Sequence, residues 1–181
     1  MVRLDRLTTK GGDKGETSLG DNSRVRKDSP RIHAIGSVDE ANAAIGMLRL
    51  VITGDADAML ARIQNDLFDA GADLCQPGNR LDALRITTSQ ITRLEAEIKD
   101  LTSKLPPLTS FVFPGGPNGS AQAHVARTVV RRAERDVATL LTEDPANEAV
   151  LIYLNRLSDL LFALARTFAQ GETLWQPGAT R

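Results

Sequence analysis

From Val38 onward, apolar residues recur every three or four positions, and breaks in that rhythm divide the chain into five helical segments. Ser37 is placed to cap the first, with Asp39 and Glu40 in its opening turn and Ala41, Ala44, Ile45 and Leu48 as its apolar stripe. The second is predicted over Asp55–Leu74, with Met59, Leu60, Ile63, Leu67 and Phe68 facing inward. Pro77-Gly78-Asn79 marks residues 75–85 as a loop. The third opens at Thr88 or Ser89, carries Ile91, Leu94, Ile98 and Leu101, and is stopped by Pro106-Pro107. The fourth is predicted from about Ser120 to Leu141 and the fifth from about Asn147 to Ala169, with Pro145 between them. Between the third and fourth lies Phe111-Val112-Phe113-Pro114-Gly115-Gly116-Pro117, an apolar connector that cannot be helical.

Residues 1–36 break the rhythm: Gly11, Gly12, Gly15, Gly20, Pro30 and Gly36 stand among many charges, the pattern of an extended arm. Such an arm orders only if it has something to lie against. The reading is an all-α, antiparallel five-helix bundle with an extended N-terminal glycine-rich arm. It forms one domain over residues 1–181, with the arm at 1–36, the bundle at 37–170 and a tail at 171–181. In the fifth segment, Leu151, Ile152, Tyr153, Leu154, Leu157, Leu160, Leu161, Phe162 and Leu164 cover nearly the whole circumference. A helix apolar all round is buried all round, which favours association with further copies.

Composition narrows the function classes. The formal net charge of −1 supplies no global attraction to nucleic acid or an anionic membrane, so anion binding must come from a local cluster. One cysteine, Cys75, permits no intrachain disulfide and spells no cysteine metal site; its apolar setting suggests a buried structural thiol. The opening residues lack the apolar core of a signal peptide, and no apolar run approaches a membrane span, so a cytoplasmic protein is expected.

Candidate chemistry lies on the fourth segment and the arm. Arg127, Arg131 and Arg135 are spaced by four and share one helix stripe, with Glu134 close by. Such a stripe is either a solvated face or, since arginine forks suit phosphate, an anion site. Asn155 and Asp159 interrupt the apolar fifth segment; a buried Asp159 requires a partner, and the arginine stripe could supply it as structural support. In the arm, Thr8-Thr9-Lys10-Gly11-Gly12-Asp13-Lys14-Gly15-Glu16-Thr17-Ser18 offers glycines for an anion nest with lysines and hydroxyls to close it, though a plain flexible loop would look similar. It is not a Walker A loop, because no Gly-Lys-Ser/Thr follows at the right spacing. Lys27 adds a cation, while His33 and His124 have no ligand-type neighbours, and no metal ligand is assigned. Phe111 by itself reads as a loop residue filling an apolar gap.

Together these pieces resemble the PduO-type ATP:cob(I)alamin adenosyltransferase family. The likeness runs in order through Thr9-to-Leu19, Lys27-Asp28, Gly36-Ser37-Val38-Asp39-Glu40, Phe111-to-Gly116, Arg127-to-Arg135, Asn155-to-Asp159 and Leu174-Trp175-Gln176-Pro177-Gly178. The resemblance implies a bacterial homotrimer with an active site at each subunit interface, where Co(I) of reduced cobalamin attacks the 5′-carbon of ATP and releases triphosphate. It places Thr9, Lys10, Gly11, Gly12, Thr17, Ser18 and Lys27 around the nucleotide from the arm, and Arg131, Arg132, Glu134, Arg135 and Asn155 from the bundle, with Mg²⁺ assisting. It matches Asp39 and Arg127 to a pair that joins subunits and organises the corrinoid site, and Phe111 to an aromatic residue that displaces the corrinoid's lower ligand. A reductase and an adenosylcobalamin-dependent enzyme are the implied partners. Gly11 stands where the family often has a bulkier residue, and Ser37 where it commonly has Thr. Two rival readings use the same residues: a helical ATP-dependent phosphotransferase with Asp39 activating the acceptor, and a non-catalytic corrinoid carrier or nucleotide sensor.

Overall fold

The computed structural model describes residues 8, 10–78, 83–117 and 119–181. A hairpin of β1 (Glu16–Ser18) and β2 (Arg24–Arg26), with Thr17 opposite Val25, precedes five helices. These are α1 (Pro30–Arg49), α2 (Asp55–Leu74), α3 (Thr88–Ser103), α4 (Ser120–Glu143) and α5 (Glu148–Phe168). Successive helices run in opposite directions. Arg31 at the start of α1 reaches Asp144 at the end of α4, Glu134 of α4 meets Asn155 of α5, and Arg62 of α2 meets Glu97 of α3. The α4 helix lies between α1 and α5, with α2 flanking α1 and α3 flanking α5. The five-helix bundle is the one the apolar rhythm predicts.

Three details differ. The first helix begins at Pro30, not after Ser37. Ser29 is extended, and Pro30 takes the first helical position, where its fixed φ suits the turn and its missing N–H costs nothing. Ala34, Val38, Ala41, Ile45 and Leu48 then form one continuous buried stripe through Gly36. Ser37 is therefore mid-helix and buried; its hydroxyl donates to the His33 carbonyl at 3.0 Å and to the Asp136 carboxylate. Asp39 and Glu40 follow as exposed mid-helix residues. Second, Phe68 is 69% exposed. The inward face of α2 is Leu60, Ile63, Leu67, Ala70 and Leu74, and Phe68 sits about 100° round the helix from Leu67. Third, α5 is not enclosed all round within one chain: Ile152 and Asp159, seven residues apart on one stripe, are exposed.

Buried polar groups tie the elements together. Asp66 accepts from the Tyr153 hydroxyl at 3.1 Å and from Arg93 at 2.7 Å, linking α2, α5 and α3. Asp73 receives Arg85 at 2.6 Å, the Ile86 N–H at 2.8 Å and the Asn147 amide at 2.7 Å. Asn147 is also the N-cap of α5, accepting from the Ala149 N–H at 3.1 Å. Arg31, 3% exposed, donates to the Leu74 carbonyl at 2.7 Å, the Pro145 carbonyl at 2.9 Å and the Asp144 carboxylate. It thereby fixes the start of α1 to the ends of α2 and α4.

Removing that guanidinium leaves the buried Leu74 carbonyl without its partner and breaks the bonds to Pro145 and Asp144. Arg31→Ala is expected to lower unfolding stability by about 2 kcal/mol or more, with an unchanged dependence on denaturant, as read from urea unfolding. A loss below about 0.5 kcal/mol would assign Arg31 to an ordinary surface role.

Candidate functional site

The arginine stripe is on α4, and each member meets a different environment. Arg127, half-buried, lays its guanidinium over the Phe162 ring at 5.8 Å from the centroid. Burial, then the nearby Arg131, holds its pKa below the ordinary value. One turn on, about 6 Å along the axis, Arg131 is exposed; a further turn on, Arg135 donates to the Arg131 carbonyl at 3.0 Å. Arg132 pairs with Glu40 of α1. Glu134 accepts from the Asn155 amide at 2.8 Å across the α4–α5 seam.

This stripe links two concave surfaces. At the Arg127 end is a cavity of about 620 Å³ lined by Leu108, Phe111, Val112, Arg127, Phe162 and Trp175. Phe111 is 77% exposed at its edge, so it fills no internal gap; its ring lies 6.0 Å from that of Trp175. At the other end is a groove of about 490 Å³, where Arg131, Glu134, Arg135, Asn155 and Arg156 meet the apolar Leu151 and Ile152. One surface is aromatic and apolar, suiting a flat hydrophobic face. The other presents forked cations beside a polar amide, suiting an anion attached to an organic group.

The arm is built as a turn and hairpin. Lys10 and Gly15 take left-handed φ values of 58° and 81°, and the Lys27 N–H donates to the Gly15 carbonyl at 2.9 Å. A Cβ on Gly12 would fall 2.8 Å from the Lys27 ammonium, so glycine there lets the lysine fold across the turn. Arg24 reaches the Gly11 carbonyl at 2.8 Å and the Ser18 hydroxyl at 3.3 Å. Buried Leu19, and Gly20 donating to the Cys75 carbonyl at 2.8 Å, pin the hairpin to the end of α2. The Cys75 thiol is free and partly exposed rather than fully buried. Thr9 lies outside the described residues.

Within one chain the predicted site residues fall into two groups. Lys10, Gly11, Gly12, Thr17, Ser18 and Lys27 gather in the arm; Arg127, Arg131, Arg135, Glu134, Asn155 and Phe111 gather along α4 and its cavities. Among the described residues, no hydrogen bond or ion pair joins the first group to the α4 arginines. Asp39 is exposed on α1, with no ion pair to Arg127 among the described residues. The buried Asp159–arginine pair is not formed. Asp159 is exposed because it falls on the open stripe of α5, and its carboxyl is pushed up by partial burial, with Arg156 opposing and Glu134 reinforcing the shift.

A family model described as cobalamin adenosyltransferase matches residues 7–168. The chain belongs to that family. A cobalamin adenosyltransferase from Cupriavidus metallidurans is 46% identical over 180 residues, 96% of each chain. A corrinoid adenosyltransferase from Mycobacterium tuberculosis is 48% identical over 188 residues, covering 99% of this chain and 97% of its own. Among solved structures, a variant PduO-type ATP:corrinoid adenosyltransferase from Lactobacillus reuteri complexed with cobalamin and ATP is similar with a TM-score of 0.90 at 35% identity. That match covers 95% of this chain and 97% of the other.

The structure adds neighbours that the family motifs did not single out. Phe162, read from the sequence as part of an apolar helix face, is the platform under Arg127. His124 is 3% exposed, lies 6.1 Å from Phe162 ring to ring, and has a buried Nδ1 without a hydrogen-bond partner among the described residues. The signal available for both was their spacing of three from Arg127 and from Asp159. Burial, then Arg127, lowers the His124 pKa, with Glu172 opposing. Above the ordinary histidine range both folded and unfolded forms are neutral; as pH falls below it, the unfolded chain takes up the proton first and stability drops. We expect the stability lost between pH 7 and pH 5 to be smaller in His124→Gln than in the wild type, measured by urea unfolding across that range. Identical pH slopes would exclude His124 as a contributor.

Proposed function

We propose that this protein transfers the 5′-deoxyadenosyl group of ATP to the Co(I) of reduced cobalamin, giving adenosylcobalamin and triphosphate. The observation that carries the reading is the α4 stripe, which runs from an aromatic cavity at Arg127 to a cationic groove at Arg131 and Arg135. One surface suits a corrin face and the other a polyphosphate, and the similar variant PduO-type enzyme from Lactobacillus reuteri was solved with both cobalamin and ATP. In the reaction the cobalt lone pair attacks C5′, a Co–C bond forms, and the C5′–O bond breaks with its electrons leaving on triphosphate. Cobalt is the nucleophile, so no activated serine or cysteine is required. The residues align the two reactants and neutralise charge on the leaving group.

In this reading Arg131 stabilises the departing triphosphate, with Arg132, Arg135, Glu134 and Asn155 holding the nucleotide beside it. Mg²⁺ enters on the triphosphate as part of the substrate. Lys10, Lys27, Thr9, Thr17, Ser18 and the Gly11-Gly12 backbone close over the nucleotide from the arm of another subunit. That division accounts for the separation of the two groups within one chain, and a neighbouring subunit would cover Ile152, which stands exposed on α5. The assembly is a homotrimer with a site at each interface, and Asp39 of one subunit meets Arg127 of the next. Phe111 excludes the lower ligand of the corrinoid, making Co(II) easier to reduce when a reductase supplies the electron in the cytoplasm.

The test is an anaerobic assay with purified protein, chemically reduced cobalamin and ATP with Mg²⁺. Light-sensitive adenosylcobalamin together with triphosphate is expected; ADP or pyrophosphate as product would overturn the reading in favour of another phosphate chemistry. Arg131→Ala should lose at least about 100-fold in kcat while melting as the wild type does. Unfolding of that variant at ambient temperature would make Arg131 structural. Phe111→Ala should keep ATP affinity yet slow turnover when Co(II) must be reduced on the enzyme; normal turnover there would remove the lower-face role.

A further inference from the structure

The chain after α5 turns back and pairs with the connector that carries Phe111. Val112 and Leu174 form an antiparallel bridge, with the Phe113 N–H donating to the Thr173 carbonyl at 2.9 Å and the Trp175 N–H to the Phe111 carbonyl at 2.7 Å. Ser110 adds a hydroxyl donated to the Trp175 carbonyl at 2.7 Å. Phe111 is thus held by a short two-stranded ribbon whose outer strand is the tail.

The connector, upstream of the ribbon, and the tail are both fastened by one side chain. Arg166, in the last turn of α5, donates to the Glu172 carboxylate at 2.6 and 3.1 Å and to the Pro106 carbonyl at 2.8 Å. Its side chain is 8% exposed and that of Glu172 18%. The far end of the connector is fixed separately, by the Ser120 hydroxyl between the Gly115 and Ala165 carbonyls at 2.7 and 2.8 Å. An ion pair this enclosed is geometrically demanding, and a fork that satisfies a carboxylate and a carbonyl together tolerates little displacement.

We propose that Arg166 and Glu172 are positioning residues for the reaction: their ion pair locks the tail against the connector and thereby sets where Phe111 stands at the cavity edge. The inference rests on the corrinoid reading above. Neither side chain lines the aromatic cavity, so both act through Phe111 and Trp175. Loosening the ribbon leaves the α4 arginines in place and spoils the face that must exclude the corrinoid's lower ligand. The consequence is selective: it falls on a corrinoid that has a lower base to displace and spares one that lacks it.

The experiment compares cobalamin with cobinamide, which has no lower nucleotide base, as Co(II) substrates under enzyme-bound reduction, in wild type and Glu172→Gln. The wild type must first turn over; absence of turnover with either corrinoid overturns the corrinoid reading itself. Given wild-type turnover, Glu172→Gln should lose about ten-fold or more in kcat with cobalamin and stay within about two-fold with cobinamide. The absorbance of its bound Co(II)cobalamin should shift toward the form that retains the lower ligand. Equal loss with both corrinoids, or no loss with either, would overturn the positioning role. If Glu172→Gln melts far below the wild type, Trp175→Pro decides. It deletes the N–H donated to the Phe111 carbonyl from a residue outside all five helices, and unimpaired cobalamin turnover in that variant overturns the proposal.

Discussion

The site depends on the packing of α4 against α5. Ala123, Ala126, Val130, Ala133, Val137 and Leu140 form the buried side of α4, and Leu154, Leu157, Leu161, Leu164 and Ala165 are buried on α5. Three alanines along α4 let the two helices approach closely, and the regular seam fixes the edge of α4 that borders α5 at one turn per arginine. Because Arg127, Arg131 and Arg135 share that edge, their spacing of about 6 Å per step comes from the backbone and not from flexible side chains. A rigid row of cations beginning on an aromatic ring and ending beside an amide is what a reaction between a hydrophobic nucleophile and a polyphosphate-bearing electrophile requires.

Charge explains the rest of the arrangement. With net charge near zero, the chain concentrates its cations locally and neutralises those not needed for a ligand. Arg31, Arg49, Arg62, Arg85, Arg93 and Arg166 are all paired with carboxylates. Arg131 and Arg135 stand exposed beside the groove instead. Arg132 is held by Glu40 in the isolated chain, so its proposed contact with nucleotide requires that pair to open or to share its charge.

Much of this was legible in the sequence. The α2 bounds, Asp55 and Leu74, follow from an uninterrupted apolar rhythm between Gly54 and the loop at Pro77. The arginine stripe was legible because spacing by four has one meaning on a helix. The start of α1 was not, because Pro30 and Gly36 are loop signals in isolation, and only the burial of Ala34 and the anchoring of Arg31 reveal the extra turns. Phe68 and Asp159 were misplaced for a common reason: an apolar or polar letter does not say which side of a helix lacks a neighbour. The hairpin is not legible because each strand has only three residues, Glu-Thr-Ser and Arg-Val-Arg, too few to show an apolar alternation. The tail's pairing with the connector is a contact between segments about sixty residues apart, and no local pattern encodes it.

In the proposed assembly, the arm of one subunit and the arginine stripe of another complete one site. Mixing two inactive proteins tests it directly: Lys27→Ala, impaired in the arm, and Arg131→Ala, impaired in the stripe, combined under conditions that exchange subunits. With arm and stripe drawn from different subunits, an equal mixture should regain roughly a quarter of wild-type adenosyl transfer, the share of interfaces in which the contributed arm and the contributed stripe are both intact. A mixture that stays as inactive as its two components, despite demonstrated exchange, would show that each chain must supply both groups itself and would contradict the account.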